Sequence, residues 1–326
     1  MNTELRPRTL GEILDGTAQL YRSHFLLFVG IAVFPRALLL VTQLLQIGVD
    51  HVLELRHLPT LWFTVGASGI SLLLYFAFVG LGLAASNRAV SALYLGQTAT
   101  IAESYQEVKP HWIRYLGIMF LAALYSWGPT MIPYAGIFAV IGIDGKKFMP
   151  GTGVTAGPGT FAGLAVLGVA GLAMLVTVPF GIWMSLRYAV AVPASIFENA
   201  GVAASLKRSV YLTKKGRGRI FVMVLMIGII FWVIAAVTEM PFVLQAFKAA
   251  KNHQQPPVIS LVLSQIVSFF LYSVIGPIYG IAITLFYYDE RIRKEGFDIE
   301  FMMQQANLSG GEPAIEPPTQ LEPGLS

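Results

Sequence analysis

Six long apolar stretches dominate this chain, and each is long enough to cross a lipid bilayer. They cover residues 25–47, 61–84, 115–141, 161–186, 219–244 and 259–286. A hydrocarbon layer of about 30 Å needs about 20 helical residues. Charged residues make up 12% of the 326 residues, whereas soluble domains carry about 25%. We therefore predict an all-α membrane protein with six transmembrane helices, which excludes most soluble enzyme chemistry.

Positive charges lie predominantly on one side of the predicted spans. Sixteen Lys and Arg residues occupy segments 1–24, 85–114, 187–219 and 287–326, whereas the alternate connections hold five and Arg36 lies inside a span. Loops on the cytoplasmic side of membranes are enriched in Lys and Arg. We therefore expect both termini in the cytoplasm, as an even number of spans requires.

A polar, amphipathic segment precedes the first, third and fifth apolar stretches, at residues 6–25, 98–117 and 199–221. In the first segment, Thr9 and Glu12 have the spacing of a capping box, which predicts a helix starting at Leu10. We interpret the chain as three repeats, each an amphipathic cytoplasmic helix plus a helical hairpin. Because each repeat holds an even number of spans, the repeats are parallel.

The chain divides into three predicted parts. Residues 1–24 form a cytoplasmic N-terminus with an amphipathic helix, and residues 25–304 form the six-helix transmembrane domain. Residues 305–326 are acidic and rich in Pro and Gly, a composition typical of disordered segments. We expect a disordered cytoplasmic tail there.

Two charged residues fall inside the predicted spans. Arg36 follows Pro35 in the first stretch, and Glu239 lies near the outer end of the fifth. A charge within a membrane is a functional-site hypothesis by default. Two interpretations stay open. In the first, the two side chains are structural, because they pair with each other or extend to the membrane surface. In the second, they line a pathway for a substrate or for protons. The sequence does not show whether the two side chains meet.

The third cytoplasmic connection is the densest cluster of positive charge. Between positions 187 and 219 it holds seven basic residues and one acid, Glu198. Each Lys or Arg near an anionic membrane contributes roughly 1 kcal/mol to binding. An amphipathic helix with this charge is typical of an inner-leaflet contact, although the charges also set topology. The candidates for binding lipid headgroups are Lys207, Arg208, Lys214, Lys215, Arg217 and Arg219.

Three residues of the first outer loop are weak candidates for a metal site. His51, Glu54 and His57 are each three positions apart, and imidazole and carboxylate are suitable zinc ligands. This spacing drifts off one helix face, however, and the outer loops offer no evident fourth ligand. We therefore predict no metal, no other cofactor and no catalytic constellation.

Three sequence signatures resemble those of a known family. They are RPRTLGEILD at residues 6–15, RYAVAVPASIFENAGVAASLKRSVYLT at 187–213 and YYDERIRKEGFD at 287–298. They resemble the membrane domain of glycerophosphoryl diester phosphodiesterase, found in bacterial integral membrane proteins. The resemblance implies the bacterial inner membrane. In some relatives this part is joined to a catalytic barrel, which needs about 250 residues, so we expect a membrane domain standing alone here.

The leading functional hypothesis is a non-catalytic membrane protein that organises lipid or a membrane partner. A small-solute or lipid transporter is one alternative, and a membrane-bound enzyme acting on lipid headgroups is another. Expected partners are anionic lipids, and another membrane protein stays open as a second partner. We expect no nucleic acid partner, and a homo-oligomer stays open. A polar cavity at Arg36 would favour transport, and a solid apolar bundle would favour scaffolding.

Overall fold

The computed structural model describes residues 6–56, 61–94, 96–144, 158–252, 254–297, 299 and 303. These residues are almost entirely helical, and they contain no strand. A short 3-10 turn, Lys109–His111, joins the fourth helix to the fifth. The helices are α1 Leu10–Ser23, α2 Phe25–Leu55, α3 Leu61–Tyr94, α4 Ile101–Val108, α5 Trp112–Asp144, α6 Pro158–Tyr188, α7 Ala191–Phe197, α8 Val202–Thr213, α9 Arg217–Lys251 and α10 Val258–Glu295.

Six of these helices, α2, α3, α5, α6, α9 and α10, are long and apolar enough to cross a membrane. This confirms the prediction of an all-α, multi-pass membrane protein. The helices are longer than the predicted apolar stretches, because polar residues that follow those stretches are also helical. The longest extension is at α3, which continues past residue 84 to Tyr94.

The short helices precede pairs of long ones. Helix α1 precedes α2 and α3, α4 precedes α5 and α6, and α8 precedes α9 and α10. Helix α1 begins at Leu10, where the Thr9 hydroxyl accepts from the Glu12 backbone N–H and the Glu12 carboxylate accepts from the Thr9 N–H. This confirms the predicted capping box. Thr100 and Glu103 form the same arrangement at the start of α4. The short helix α7 was not predicted.

We call the end of the bundle that holds α1, α4, α8 and the last turns of α10 the basic end. The buried apolar core is concentrated there, around Phe28, Tyr115, Leu212 and Phe286. Helix α10 packs against α1, α2, α3 and α9. Gly280 allows the approach of α3, because a Cβ there would lie 3.3 Å from Leu83 Cδ1. Toward the opposite end the bundle is less tightly filled.

Candidate ligand-binding site

Arg36 lies within α2, eleven residues after the helix begins. At 1.5 Å per residue it is about 16 Å along the helix axis from Phe25, which is mid-membrane depth. Pro35 precedes it, and Gly82 of α3 packs closely there, because a Cβ at Gly82 would lie 2.8 Å from Pro35 Cγ. The close crossing of α2 and α3 thus fixes the backbone that carries Arg36.

The Arg36 guanidinium points toward α10. Its Cζ lies 5.1 Å from the centre of the Tyr272 ring, a cation–π distance. A Cβ at Gly276, one turn further along α10, would lie 3.9 Å from Arg36 Nη2, in ordinary van der Waals contact with the guanidinium. Within the described part of the chain, no carboxylate or carbonyl accepts a hydrogen bond from Arg36.

Two cavities meet at Arg36. The first, which we call the apolar chamber, has a volume of about 370 Å³ and extends toward the basic end between α2, α3, α9 and α10. The second, the polar chamber, has a volume of about 350 Å³ and extends toward the opposite end. Both volumes fall in the range of ligand pockets, about 300–1,000 Å³. The residues that line both chambers are Arg36, Leu39, Tyr75 and Tyr272.

Glu239 lines the polar chamber together with Arg36. Its carboxylate Oε1 accepts a hydrogen bond of 2.9 Å from the Ser268 hydroxyl. The structure contains no ion pair between Arg36 and Glu239. The two sequence candidates therefore share a cavity without neutralising each other.

Polar residues of the chamber were missed by the sequence analysis, although a signal was present. Gln43 follows Arg36 by seven positions on α2, and Gln265, Ser268 and Tyr272 are spaced by three and four on α10. Residues with these spacings share one helix face. Two such faces converge on one cavity, so these polar residues of α2 and α10 lie together.

An apolar groove on the outside of the bundle reaches the apolar chamber. It has a volume of about 520 Å³ and lies mainly between α3 and α5. Tyr75, Leu83, Met119 and Tyr279 line both the groove and the chamber. The half-exposed side chain of Leu124 borders the groove. These shared residues separate the chamber from the lipid-facing surface.

At the basic end, the first and third sequence signatures meet in one buried ion cluster, which Arg219 joins from α9. Asp289 Oδ1 accepts from the Arg8 backbone N–H at 2.6 Å, and Asp289 Oδ2 accepts from Arg219 at 2.7 Å and from Arg293 at 2.9 Å. Glu290 pairs with Arg219 at 3.3 Å and with Lys294 at 3.1 Å. Both carboxylate residues are 2% exposed. The cluster joins α1, α9 and α10.

The headgroup candidates of the third connection divide into two groups. Arg208 pairs with Glu198 at 2.7 Å and with Glu295 at 2.5 Å, and these carboxylates raise the pKa of the Arg208 guanidinium. Arg219 belongs to the buried cluster. Arg217 stacks on Trp183. Exposed side chains belong to Lys207, Lys214 and Lys215.

Of the three weak metal candidates, the structure describes the side chain of one, His51. His51 is exposed. His57 and the side chain of Glu54 lie outside the described residues. Among the described residues, no group of three His, Cys, Asp or Glu side chains is arranged to hold a metal ion. The absence of a metal site stays a prediction.

Comparison with known proteins gives one match. A search of curated proteins and a search of solved structures found none. Residues 164–307 match a family model described as the membrane domain of glycerophosphoryl diester phosphodiesterase. The matched range holds α7 to α10 and all of the second and third signatures, whereas the first signature lies outside it. Residues 164–307 thus match the membrane domain family of glycerophosphoryl diester phosphodiesterase, and the resemblance carried by the second and third signatures is confirmed.

Proposed function

We propose that this chain binds a phospholipid inside its membrane-spanning bundle, with the lipid phosphate against Arg36. The observation that carries the proposal is the position of the Arg36 guanidinium, which lies at the junction of the two chambers with no acid partner among the described residues. An arginine at the centre of a membrane helix costs about 2.5–3.5 kcal/mol on insertion scales. An anion bound at the junction would offset that cost.

The polar chamber suits a headgroup that has hydrogen-bond donors as well as a phosphate. Arg36 would bind phosphate oxygens, a pairing that arginine makes in bidentate geometry. Glu239 repels an anion but accepts hydrogen bonds, so it favours a hydroxyl or ammonium group at the far end of the headgroup. Gln43 and Gln265 offer both donors and acceptors. This combination fits glycerol or ethanolamine headgroups.

The apolar chamber suits an acyl chain. Its lining is almost wholly apolar, with Leu39, Val79, Val224 and Ile227 among the contributors. The groove between α3 and α5 adjoins this chamber, and only the residues that line both lie between the chamber and the lipid-facing surface. A lipid would reach the site from within the bilayer, which favours a lipid over a water-soluble solute.

Moving the bound lipid across the membrane is a second candidate function, because the chambers adjoin.

The test measures retained lipid by native mass spectrometry of the full chain purified in detergent. We expect one tightly held phospholipid per chain, and we expect Arg36→Gln to lower its occupancy at least about tenfold, since a charged hydrogen bond contributes about 1.5–3 kcal/mol. Arg36→Lys should retain an intermediate amount. Arg22→Gln is the matched control, because Arg22 is an exposed residue of α1. Equal occupancy in the Arg36→Gln variant and the control would overturn the proposal.

The proposal extends to membrane and orientation. We place the protein in the bacterial inner membrane with both termini cytoplasmic, supported by the charge bias and by the position of α1, α4 and α8 at one end. Anionic lipids of the inner leaflet are the proposed partners of the exposed Lys207, Lys214 and Lys215, and another membrane protein stays an alternative.

We also propose that the six spans are three parallel repeats, each a short helix followed by a hairpin. The order of helices supports this, as do the matching capping boxes at Thr9 and Thr100. The third short helix departs from the pattern, because it begins after Gly201 with no side-chain cap.

A catalytic role is not part of the proposal. We expect the purified chain to leave glycerophosphodiesters intact, with or without divalent metal ions. Metal-dependent hydrolysis that His51→Ala or Glu54→Ala abolishes would contradict this expectation and would favour the enzyme hypothesis.

A further inference from the structure

A second cationic site lies at the basic end, away from the chambers. Arg187 near the end of α6 and Arg217 at the start of α9 both stack on the same indole ring, that of Trp183. The Cζ atoms lie 4.7 Å and 5.3 Å from the ring centre. Trp183 is 41% exposed, and it lies in the last two turns of α6.

Neither arginine has an acid partner among the described residues. Most other arginines of this end pair with carboxylates, as Arg208 and Arg219 do. By contrast, the Nε atoms of both Arg187 and Arg217 are buried and make no hydrogen bond. Arg187 makes one weak contact, from Nη1 to Met184 Sδ at 3.6 Å. Two buried donors are thus unsatisfied within one small region.

Two like charges held on one ring repel each other, and burial of their donors adds a desolvation cost. An anion that accepts hydrogen bonds from both guanidinium groups would remove both penalties. Phosphate oxygens match the planar donor fork of arginine. We infer that Arg187, Arg217 and Trp183 form a binding site for a phosphate group, either of an inner-leaflet phospholipid or of a free phosphate ion.

The proposed site is independent of Arg36. It lies near the ends of α6 and α9, whereas the chambers lie between α2, α3, α9 and α10. Of the exposed basic residues, Lys214 and Lys215 are close in sequence to Arg217 and provide a charge-matched control. Replacing that lysine pair removes the same charge as replacing the arginine pair, but it leaves the Trp183 ring and its two guanidinium groups intact.

The experiment uses the full chain in detergent with Trp183 as its single tryptophan, the other four being replaced by Phe. Its fluorescence is titrated with dihexanoyl phosphatidylglycerol, with inorganic phosphate and with dihexanoylglycerol, which lacks phosphate. We expect a saturable change with the phospholipid and none with dihexanoylglycerol. Saturation by inorganic phosphate at the same concentration would assign the site to the free ion, and a response to the phospholipid alone would assign it to a headgroup.

The variants separate a built site from a generally basic surface. We expect Arg187→Gln with Arg217→Gln to raise the apparent Kd at least about tenfold, and Arg187→Lys with Arg217→Lys to recover part of the loss. Lys214→Gln with Lys215→Gln should change it less than about twofold, as exposed charges do. If the glutamine pair does not fold, the single variants R187Q and R217Q carry the same test. Equal weakening by the arginine and lysine pairs, or no saturable response, would overturn the inference.

Discussion

At the scale of single residues, Gly216 shows how tightly the basic end is built. A Cβ on Gly216 would lie 2.3 Å from Glu290 Oε1 and 2.8 Å from Glu290 Cδ. The Glu290 carboxylate cannot withdraw easily, because Arg219 and Lys294 both hold it. Gly216 is therefore required for space next to a fixed carboxylate.

We predict that Gly216→Ala lowers the free energy of unfolding by about 1–3 kcal/mol, the usual cost of overpacking. Gly218→Ala is the control, because no atom lies within 4 Å of the added Cβ and alanine favours a helix over glycine by about 0.5–1 kcal/mol. Unfolding in mixed detergent micelles would measure both variants. If the two variants are equally stable, Glu290 is not held as the structure indicates.

Sequence reasoning identified single residues better than it identified their partners. Arg36 and Glu239 were found because a charge inside an apolar stretch stands out. Their shared chamber was not predicted, since it depends on the rotation of α2, α9 and α10 about their axes. The partners of Arg219 were missed for the same reason, because Asp289 lies 70 residues away. The local sequence pattern does not predict contacts between residues that are so far apart in the chain.

At the scale of elements, Asp289 holds three helices together. It accepts hydrogen bonds from Arg8 before α1, from Arg219 of α9 and from Arg293 of α10 itself. The start of α1 is fixed further by Arg219 and Arg293, which both donate to the Arg8 carbonyl. Helix α1 is thus attached through charge as well as through its apolar face.

We predict that Asp289→Asn destabilises the protein by about 1–3 kcal/mol, because the buried side chain loses its charged hydrogen bonds to Arg219 and Arg293, which are 30% and 39% exposed. Amide hydrogen exchange should rise first in α1, before the six long helices open. The control is Glu107→Gln, which removes an exposed partner of Arg88 and should cost about 0–1 kcal/mol. Unchanged exchange in α1 would show that its apolar face alone holds it.

Helix boundaries with a local cause were predictable, and those with a tertiary cause were not. Thr9 and Glu12 specify the start of α1 within four residues, and the structure begins that helix at Leu10. Helix α7 has no side-chain cap and five of its seven residues are buried. It exists because neighbouring helices cover it, which a sequence pattern of seven residues does not reveal.

At the scale of the whole molecule, the distribution of charge predicts one orientation. Reporter fusions at residues 100 and 205 should show a cytoplasmic location, and fusions at 55 and 252 a periplasmic one. The physical reason is the retention of Lys-rich and Arg-rich loops on the cytoplasmic side. Opposite results at any two sites would contradict both the orientation and the proposed lipid contacts of the basic end.

The central claim is that a phospholipid occupies the bundle at Arg36, and photo-crosslinking tests it most directly. The probe is phosphatidylglycerol with a diazirine on one acyl chain, incorporated into nanodiscs that contain the full chain. We predict labelling of chamber residues such as Met119, Val224 and Ile227, which Arg36→Gln should remove while lipid-facing positions stay labelled. Labelling confined to outward residues such as Leu172 and Ile229, with or without Arg36, would contradict the account.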